Sequence, residues 1–207
     1  MKDESLLDRS PALVLVTDKK PVKIPDQIQQ FPRRAYLPAL NGSLWKINTG
    51  AVRSVSWRED GTPISLGIWG PGDIVGQAIS TIDPYYLECL TPVEVTLVPL
   101  NIWNPESNFL IEHIHQLELL LAIRSCKRIE EMVVQLLKLL SDKFGHVGTQ
   151  GNIINLRLTH QDIADLIGTT RVTVTRILQK LEENGVIERL SIHKIILKDS
   201  EDSIPIC

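Results

Sequence analysis

The sequence predicts an α+β fold: an antiparallel β-roll, a long helix, and two short helices joined by a tight turn and flanked by strands. Three observations carry this. From about Val22 to Leu100, short apolar runs alternate with breaks rich in Pro, Gly, Asn and Asp, the pattern of successive antiparallel strands. From about residue 104, apolar residues recur at spacings of three and four, which is helical periodicity. Residues 158–187 then repeat that periodicity twice, with Gly168 between the two runs.

Residues 12–16, Ala-Leu-Val-Leu-Val, read either as a first strand or as a docking arm. Strands are expected at 44–47, 51–57, 64–69 and 93–98, with Glu59-Asp60-Gly61 as a turn between two of them. Asn104-Pro105-Glu106 offers an N-cap, a proline at the first helical position and an acid in the first turn. Leu110, Ile114, Leu117, Leu121, Ile129, Met132, Leu136 and Leu139 continue the pattern to about Ser141, with or without one break. So long a helix exceeds what one small domain needs. Part of its stripe, at Leu110, Ile114, Leu117 and Leu121, is therefore expected to face a second copy of the chain. Packing on the roll alone is the alternative. The chain divides into a roll at 1–103, a long dimerisation helix at 104–143 and a C-terminal domain at 144–207.

In that last domain Thr159 can cap a helix, with Asp162 bonding back in a capping box. Ile163, Leu166 and Ile167 make its apolar face, and Gly168 ends it, because glycine enters the left-handed region without a Cβ penalty. Thr169 and Thr170 offer the next cap, and Val174, Ile177, Leu178 and Leu181 run inward until Asn184-Gly185. The spacing is that of a helix-turn-helix. A strand at 153–158 before it and a hairpin at 187–197 after it complete a winged version. Arg171, Thr173, Thr175, Arg176 and Gln179 lie off the buried stripe, in the helix half where peptide dipoles favour an anion. Arginine's planar fork fits the two major-groove acceptors of guanine, and threonine hydroxyls suit phosphate oxygens. The face points to double-stranded DNA. An ordinary solvated face, or a winged helix used for protein contact, is the alternative.

The 207 residues carry a net charge of −3, so positive charge toward a polyanion must be local. It gathers at Arg157, Arg171, Arg176 and Lys180. No apolar run approaches the ~20 residues of a membrane-spanning helix, and Met1-Lys-Asp-Glu-Ser lacks the apolar core of a signal peptide. A cytoplasmic chain with no membrane partner is expected. Cys89, Cys126 and Cys207 stand far apart without a Cys-x-x-Cys pair, which speaks against a disulfide framework or a metal cluster. All five histidines follow the roll strands, unlike a metal enzyme built on such a roll. No Ser-His-Asp, Cys-His or phosphate-loop arrangement is present. Neither enzyme activity, a metal nor a cofactor is expected.

A roll containing Gly70-Pro-Gly-Asp-Ile-Val-Gly76, a long helix and a C-terminal winged helix resemble the family of the cyclic-AMP receptor protein and FNR. The likeness spans roughly residues 30–198. The roll would then be the family's cyclic-nucleotide-binding-like jelly roll. Arg171-Val-Thr-Val-Thr-Arg176 and the wing Ser191-Ile-His-Lys194 look most like the cyanobacterial nitrogen-control branch. The resemblance implies a homodimeric transcription regulator that presents two recognition helices, near 170–184, to a palindromic site, with RNA polymerase a further candidate partner. Arg171 and Arg176 match the family's base-reading arginines, while Val172 replaces a glutamate. Valine packs on a thymine methyl rather than accepting from cytosine, which shifts the half-site toward GTA…TAC. Thr175 joins the base-reading set, and the family's phosphate contacts carry over to Thr159, Gln161, Thr170 and Thr173.

The sensor half departs from the family. From Glu59 to Ile123 there is no Lys or Arg, while nine Asp and Glu occupy the span, so the arginine that a cyclic nucleotide's phosphate needs is missing. Gln77 stands at the family's glutamate. Cyclic-AMP dependence is therefore not expected. For 2-oxoglutarate, the effector of the nitrogen-control branch, Glu118 matches the family's glutamate, but His113 stands where the arginine would be, leaving Arg124 as the substitute. A 2-oxoglutarate-responsive regulator is the alternative reading.

Overall fold

The computed structural model describes residues 28–40, 42–101, 107–149, 151–191 and 194–198. The expected cap at 104–106, the segment 12–16 and the wing tip at 192–193 lie outside them.

Eight strands make the roll: β1 (Gln29–Phe31), β2 (Tyr36–Leu37), β3 (Ser43–Thr49), β4 (Val52–Trp57), β5 (Pro63–Trp69), β6 (Ile74–Val75), β7 (Tyr86–Cys89) and β8 (Val93–Pro99). They pair antiparallel into two four-stranded sheets, in the orders β1-β8-β3-β6 and β2-β7-β4-β5. The four expected runs are β3, β4, β5 and β8. Turning at Glu59-Asp60-Gly61 is also as expected: the Arg58 amide donates to the Thr62 carbonyl at 2.9 Å, and Gly61 takes a φ of 80°. Trp45 and Trp69, each 2% exposed, fill the space between the sheets with Ile47, Val52, Leu87 and Val95. Burying an indole requires a partner for its N–H; Trp45 donates to the Pro38 carbonyl and Trp69 to the Ser54 hydroxyl, both at 2.9 Å.

The helical stretch expected over 104–143, with or without one break, is broken once, into α1 (Ser107–Ser125) and α2 (Ile129–Phe144). The break has a reason in the sequence. The α1 stripe at Leu110, Ile114, Leu117 and Leu121 would continue onto Arg124, Ser125 and Arg128, which are polar, and Arg128 adopts an extended conformation ahead of α2. The two halves also bury different faces. Leu120 and Ile123 of α1 turn inward, whereas α2 sinks Val133, Leu136, Leu137 and Leu140 into the C-terminal core. Ile123 of α1 lies in the same cluster, so α2 packs against the C-terminal domain and α1 alike.

That domain continues through β9 (Gly145–Gly148), β10 (Gly151–Ile154), α3 (His160–Ile167), α4 (Arg171–Glu183), β11 (Ile187–Ser191) and β12 (Lys194–Leu197). A third sheet runs β11-β12-β10-β9. The strand expected at 153–158 is shorter and earlier, because it pairs with β9 through Gly148 and Gly151. Ile163, Leu166, Val174, Leu178 and Ile187 pack with the α2 residues, and Ala51, Ile68 and Leu90 of the roll join the same cluster. Roll and C-terminal domain thus share apolar contacts. Among the described residues no helix is long and apolar enough to cross a membrane.

Candidate nucleic-acid interface

The helix-turn-helix is assembled by its caps. The Thr159 hydroxyl accepts from the Asp162 amide at 3.1 Å while the Asp162 carboxylate accepts from the Thr159 amide at 2.8 Å, so two orphan donors of α3 are satisfied reciprocally. Gly168 closes α3 at φ 76° and ψ 39°. Thr170 then caps α4, accepting from the Thr173 amide at 3.2 Å. Both helices bury their expected faces, with Val174, Leu178 and Leu181 of α4 turned inward.

What α4 turns outward is cationic and largely uncommitted. Arg171 and Arg176 are exposed, and among the described residues neither side chain forms an ion pair or hydrogen bond. Between them in sequence, Val172 is 59% exposed, an apolar surface that the domain's own core does not use. Arg171 opens onto a cleft of about 850 Å³ lined also by His160, Gln161 and Arg189. Burial lowers the His160 pKa, and Arg189 and Arg171 push it the same way. Glu182 lines the same cleft and pairs with Arg189 through an Nε donation at 2.8 Å, so the uncompensated positive charge there is that of Arg171.

The threonines are more committed than the sequence suggested. Thr159 Oγ1 donates to Asp162 at 2.8 Å, and Thr175 Oγ1 donates to the Arg171 carbonyl at 2.9 Å while lying 2.8 Å from His160 Nδ1. A hydroxyl has one proton to give. In this arrangement the Thr159 hydroxyl is committed to the cap of α3 and the Thr175 hydroxyl to the Arg171 carbonyl. Thr170 and Thr173 share one hydrogen bond at 2.8 Å, which leaves one O–H between them to point at a phosphate. Gln161 spends one amide hydrogen on Asp165 at 2.6 Å and keeps the other.

Glu118 and Arg124 are not brought together as an effector pair. Glu118 is exposed on α1. The Arg124 guanidinium donates to the Leu166 carbonyl at 2.9 Å and to the Ser65 carbonyl at 2.6 Å, tying α1 to both α3 and β5. The roll interior beside Gly76 and Gln77 leaves only about 10 Å³. A second cavity of about 300 Å³ lies under α1, but there Lys143 is already paired with Asp73. Among the described residues no cluster of His, Cys, Asp or Glu is arranged to hold a metal.

One constellation was missed by the sequence reading. Arg53 of β4 is 5% exposed and Glu88 of β7 is 6% exposed, and they pair at 2.6 Å. Arg53 also reaches Asp165 of α3 at 2.9 Å, and Arg34 bridges Glu88 at 2.7 Å and Asp162 at 2.8 Å. Arg53 and Glu88 are directly paired across adjacent strands; their further partners, Asp165 and Arg34, lie too far off in sequence to leave a local signal.

Comparison with known proteins agrees with this geometry. Residues 132–202 match the model of the Crp-like helix-turn-helix domain, a span that takes in most of α2. The chain is 41% identical over 184 residues to the regulatory protein CysR of Synechococcus elongatus, covering 87% of this chain and 89% of that one. It is 30% identical to the global nitrogen regulator of the same organism, with 83% and 85% covered. Among solved structures, FixK2 from Bradyrhizobium japonicum superposes with a TM-score of 0.72 at 19% identity, covering 84% of this chain and 92% of that one. A CRP-family transcriptional regulator from Thermus thermophilus gives 0.70 at 21%, with 83% and 92% covered.

Proposed function

The chain belongs to the Crp/Fnr family and is a DNA-binding transcription regulator, and from that premise we propose that it reads a GTA…TAC-like palindrome as a homodimer without needing cyclic AMP. The observation that carries this reading is the exposed Arg171-Val172 pair at the start of α4, with Arg176 one and a half turns on and no carboxylate on any of the three. Arg171 reads guanine, Val172 packs on the adjacent thymine methyl, and Arg176 reaches a base or phosphate farther along. Gln161, with Thr170 or Thr173, holds the backbone. Independence from cyclic AMP is supported by the roll itself, where only about 10 Å³ remains beside Gln77 and no Lys or Arg lies between Glu59 and Ile123 to meet a phosphate.

Selection of bound duplexes from a random library, with and without cyclic AMP and 2-oxoglutarate, tests this. The expected result is one spaced palindrome enriched equally in every condition. Enrichment only with 2-oxoglutarate would restore a nitrogen-type effector, and no enrichment at all would return the winged helix to protein contact. Arg171→Ala should cost about 1–3 kcal/mol of binding and relax one base pair per half-site, whereas Val172→Glu should move the preferred half-site.

A further inference from the structure

We propose that Arg34 and Arg53 of the roll are positioning residues for DNA binding: through Asp162 and Asp165 they fix the end of α3 that faces the phosphates. The proposal rests on the DNA-binding reading above.

The roll and α3 meet across Arg33, Arg34 and Arg53 on one side and Asp162 and Asp165 on the other, with Glu88 behind them. Three cations face three carboxylates, so the cluster closes electrically. Its inner members are dry, the side chains of Arg53, Glu88 and Asp162 being 6%, 8% and 2% exposed. Such a cluster is not what stability alone selects, because apolar side chains of the same volume usually hold an interface as well or better. What charged hydrogen bonds add is direction.

That direction is aimed at the reading surface. Asp165 accepts from Arg53 on one oxygen and from Gln161 on the other, so a roll arginine sets the carboxylate that orients a phosphate-facing amide. Asp162 accepts from Arg34 and also closes the capping box with Thr159, so a second roll arginine sets the first turn of α3. Arg34 takes a φ of 71°, and among the described residues it is the one non-glycine with positive φ. Its amide donates to the Cys89 carbonyl at 2.7 Å, which holds the strained backbone where the side chain reaches both Glu88 and Asp162. Strain of this kind persists where surrounding structure over-determines it and clusters at functional positions. Arg124 adds a third tether from the end of α1 to the Leu166 carbonyl. Meanwhile Arg171, Val172 and Arg176 remain open, so the cradle holds the reading helix in a usable position instead of covering it. The roll thereby has work to do without a ligand inside it.

The test uses the full-length protein, the selected palindrome and two variants, Asp165→Asn and Arg34→Gln, with affinity measured across a range of salt. Asp165→Asn removes a negative charge from the DNA-binding domain, so bulk electrostatics alone would tighten binding. The positioning role requires the opposite: a loss of about 3- to 30-fold, the size expected for a broken coupling network. Both side chains are spent on protein partners, Asp165 on Arg53 and Gln161 and Arg34 on Glu88 and Asp162. Affinity should therefore fall alike on all sequences, with the slope of log affinity against log salt unchanged, whereas loss of a phosphate contact lowers that slope by about one. Arg34 is 39% exposed at its side chain, so Arg34→Gln keeps the test available if Asp165→Asn does not fold. Binding equal to or tighter than that of the unaltered chain in the folded variants overturns the proposal, as does a reduced salt slope. Failure of the unaltered chain to bind any duplex would instead overturn the DNA-binding reading on which the proposal stands.

Discussion

His113 lies flat against Trp69, with ring centroids 4.2 Å apart and planes 10° apart, and joins α1 to the roll. Burial lowers its pKa from the ordinary 6.5; Asp73 opposes the shift and Lys143 adds to it. The unfolded chain therefore binds this proton more readily than the folded one. The stabilising contribution is complete above about pH 6.5 and is lost as pH falls below it toward the depressed folded value. Thermal midpoints of the unaltered chain should drop between pH 7.5 and 5.5, and His113→Gln should show a smaller drop over that interval. Equal drops would assign the acid sensitivity elsewhere, His160 being the other histidine whose pKa burial lowers. At this scale the sequence was partly legible. Residue type and helix phase sufficed to expose Arg171 and Arg176, whereas Val172 was placed on that face through the family resemblance. They could not show that the Thr159 and Thr175 hydroxyls are spent on Asp162 and on the Arg171 carbonyl, since that depends on rotamers.

Elements were read well where the chain signals its own ends. The capping box at Thr159, the left-handed Gly168 and the cap at Thr170 all came from neighbours within four residues, and local chemistry decides them. Gly168 offers a clean measure of that. A Cβ placed there would meet nothing within 4 Å, so Gly168→Ala would incur only the left-handed backbone penalty, about 1–2 kcal/mol. The expected outcome is a thermal midpoint lower by a few degrees with unchanged sequence preference, and a smaller drop for Gly168→Asn. An unchanged midpoint for alanine would mean that the turn relaxes out of the left-handed region. Where elements depend on distant partners, the sequence was weaker. Strands β1, β2 and β6 are two or three residues long and exist because β8, β7 and β3 offer them edges, a relation that no short window contains. The break between α1 and α2 was visible as a change in stripe chemistry, but choosing it over a continuous helix required knowing which core each half enters.

At the scale of the whole molecule, α1 poses a problem that one chain does not solve. Its inner side is satisfied by Leu120 and Ile123. Its outer side presents Leu110, Ile114, Leu117 and Leu121 at 43, 53, 40 and 67% exposure, with Ile111 beside them at 45%. The spacing of four, three and four is a helix–helix seam, and so continuous an apolar stripe on a single chain marks an interaction site. The homodimer proposed above would cover this stripe and also serve the reading helices: paired about a two-fold axis, two α4 helices would engage one DNA molecule together, and joining two such half-sites commonly raises affinity by ~10²–10⁴. Leu117→Glu and Leu121→Glu together should therefore give a folded monomer in sedimentation velocity at concentrations where the unaltered chain is a dimer. Both positions face away from the chain's own core, so circular dichroism and the thermal midpoint of the monomer should remain those of a cooperative fold. DNA binding separates the consequences further. The monomeric variant should bind a duplex carrying one half-site about as well as it binds the full palindrome, whereas the unaltered chain should prefer the palindrome by the linkage factor. A variant that stays dimeric would move the interface off this stripe, and a monomer that still favours the palindrome would mean that pairing occurs on the DNA through another surface.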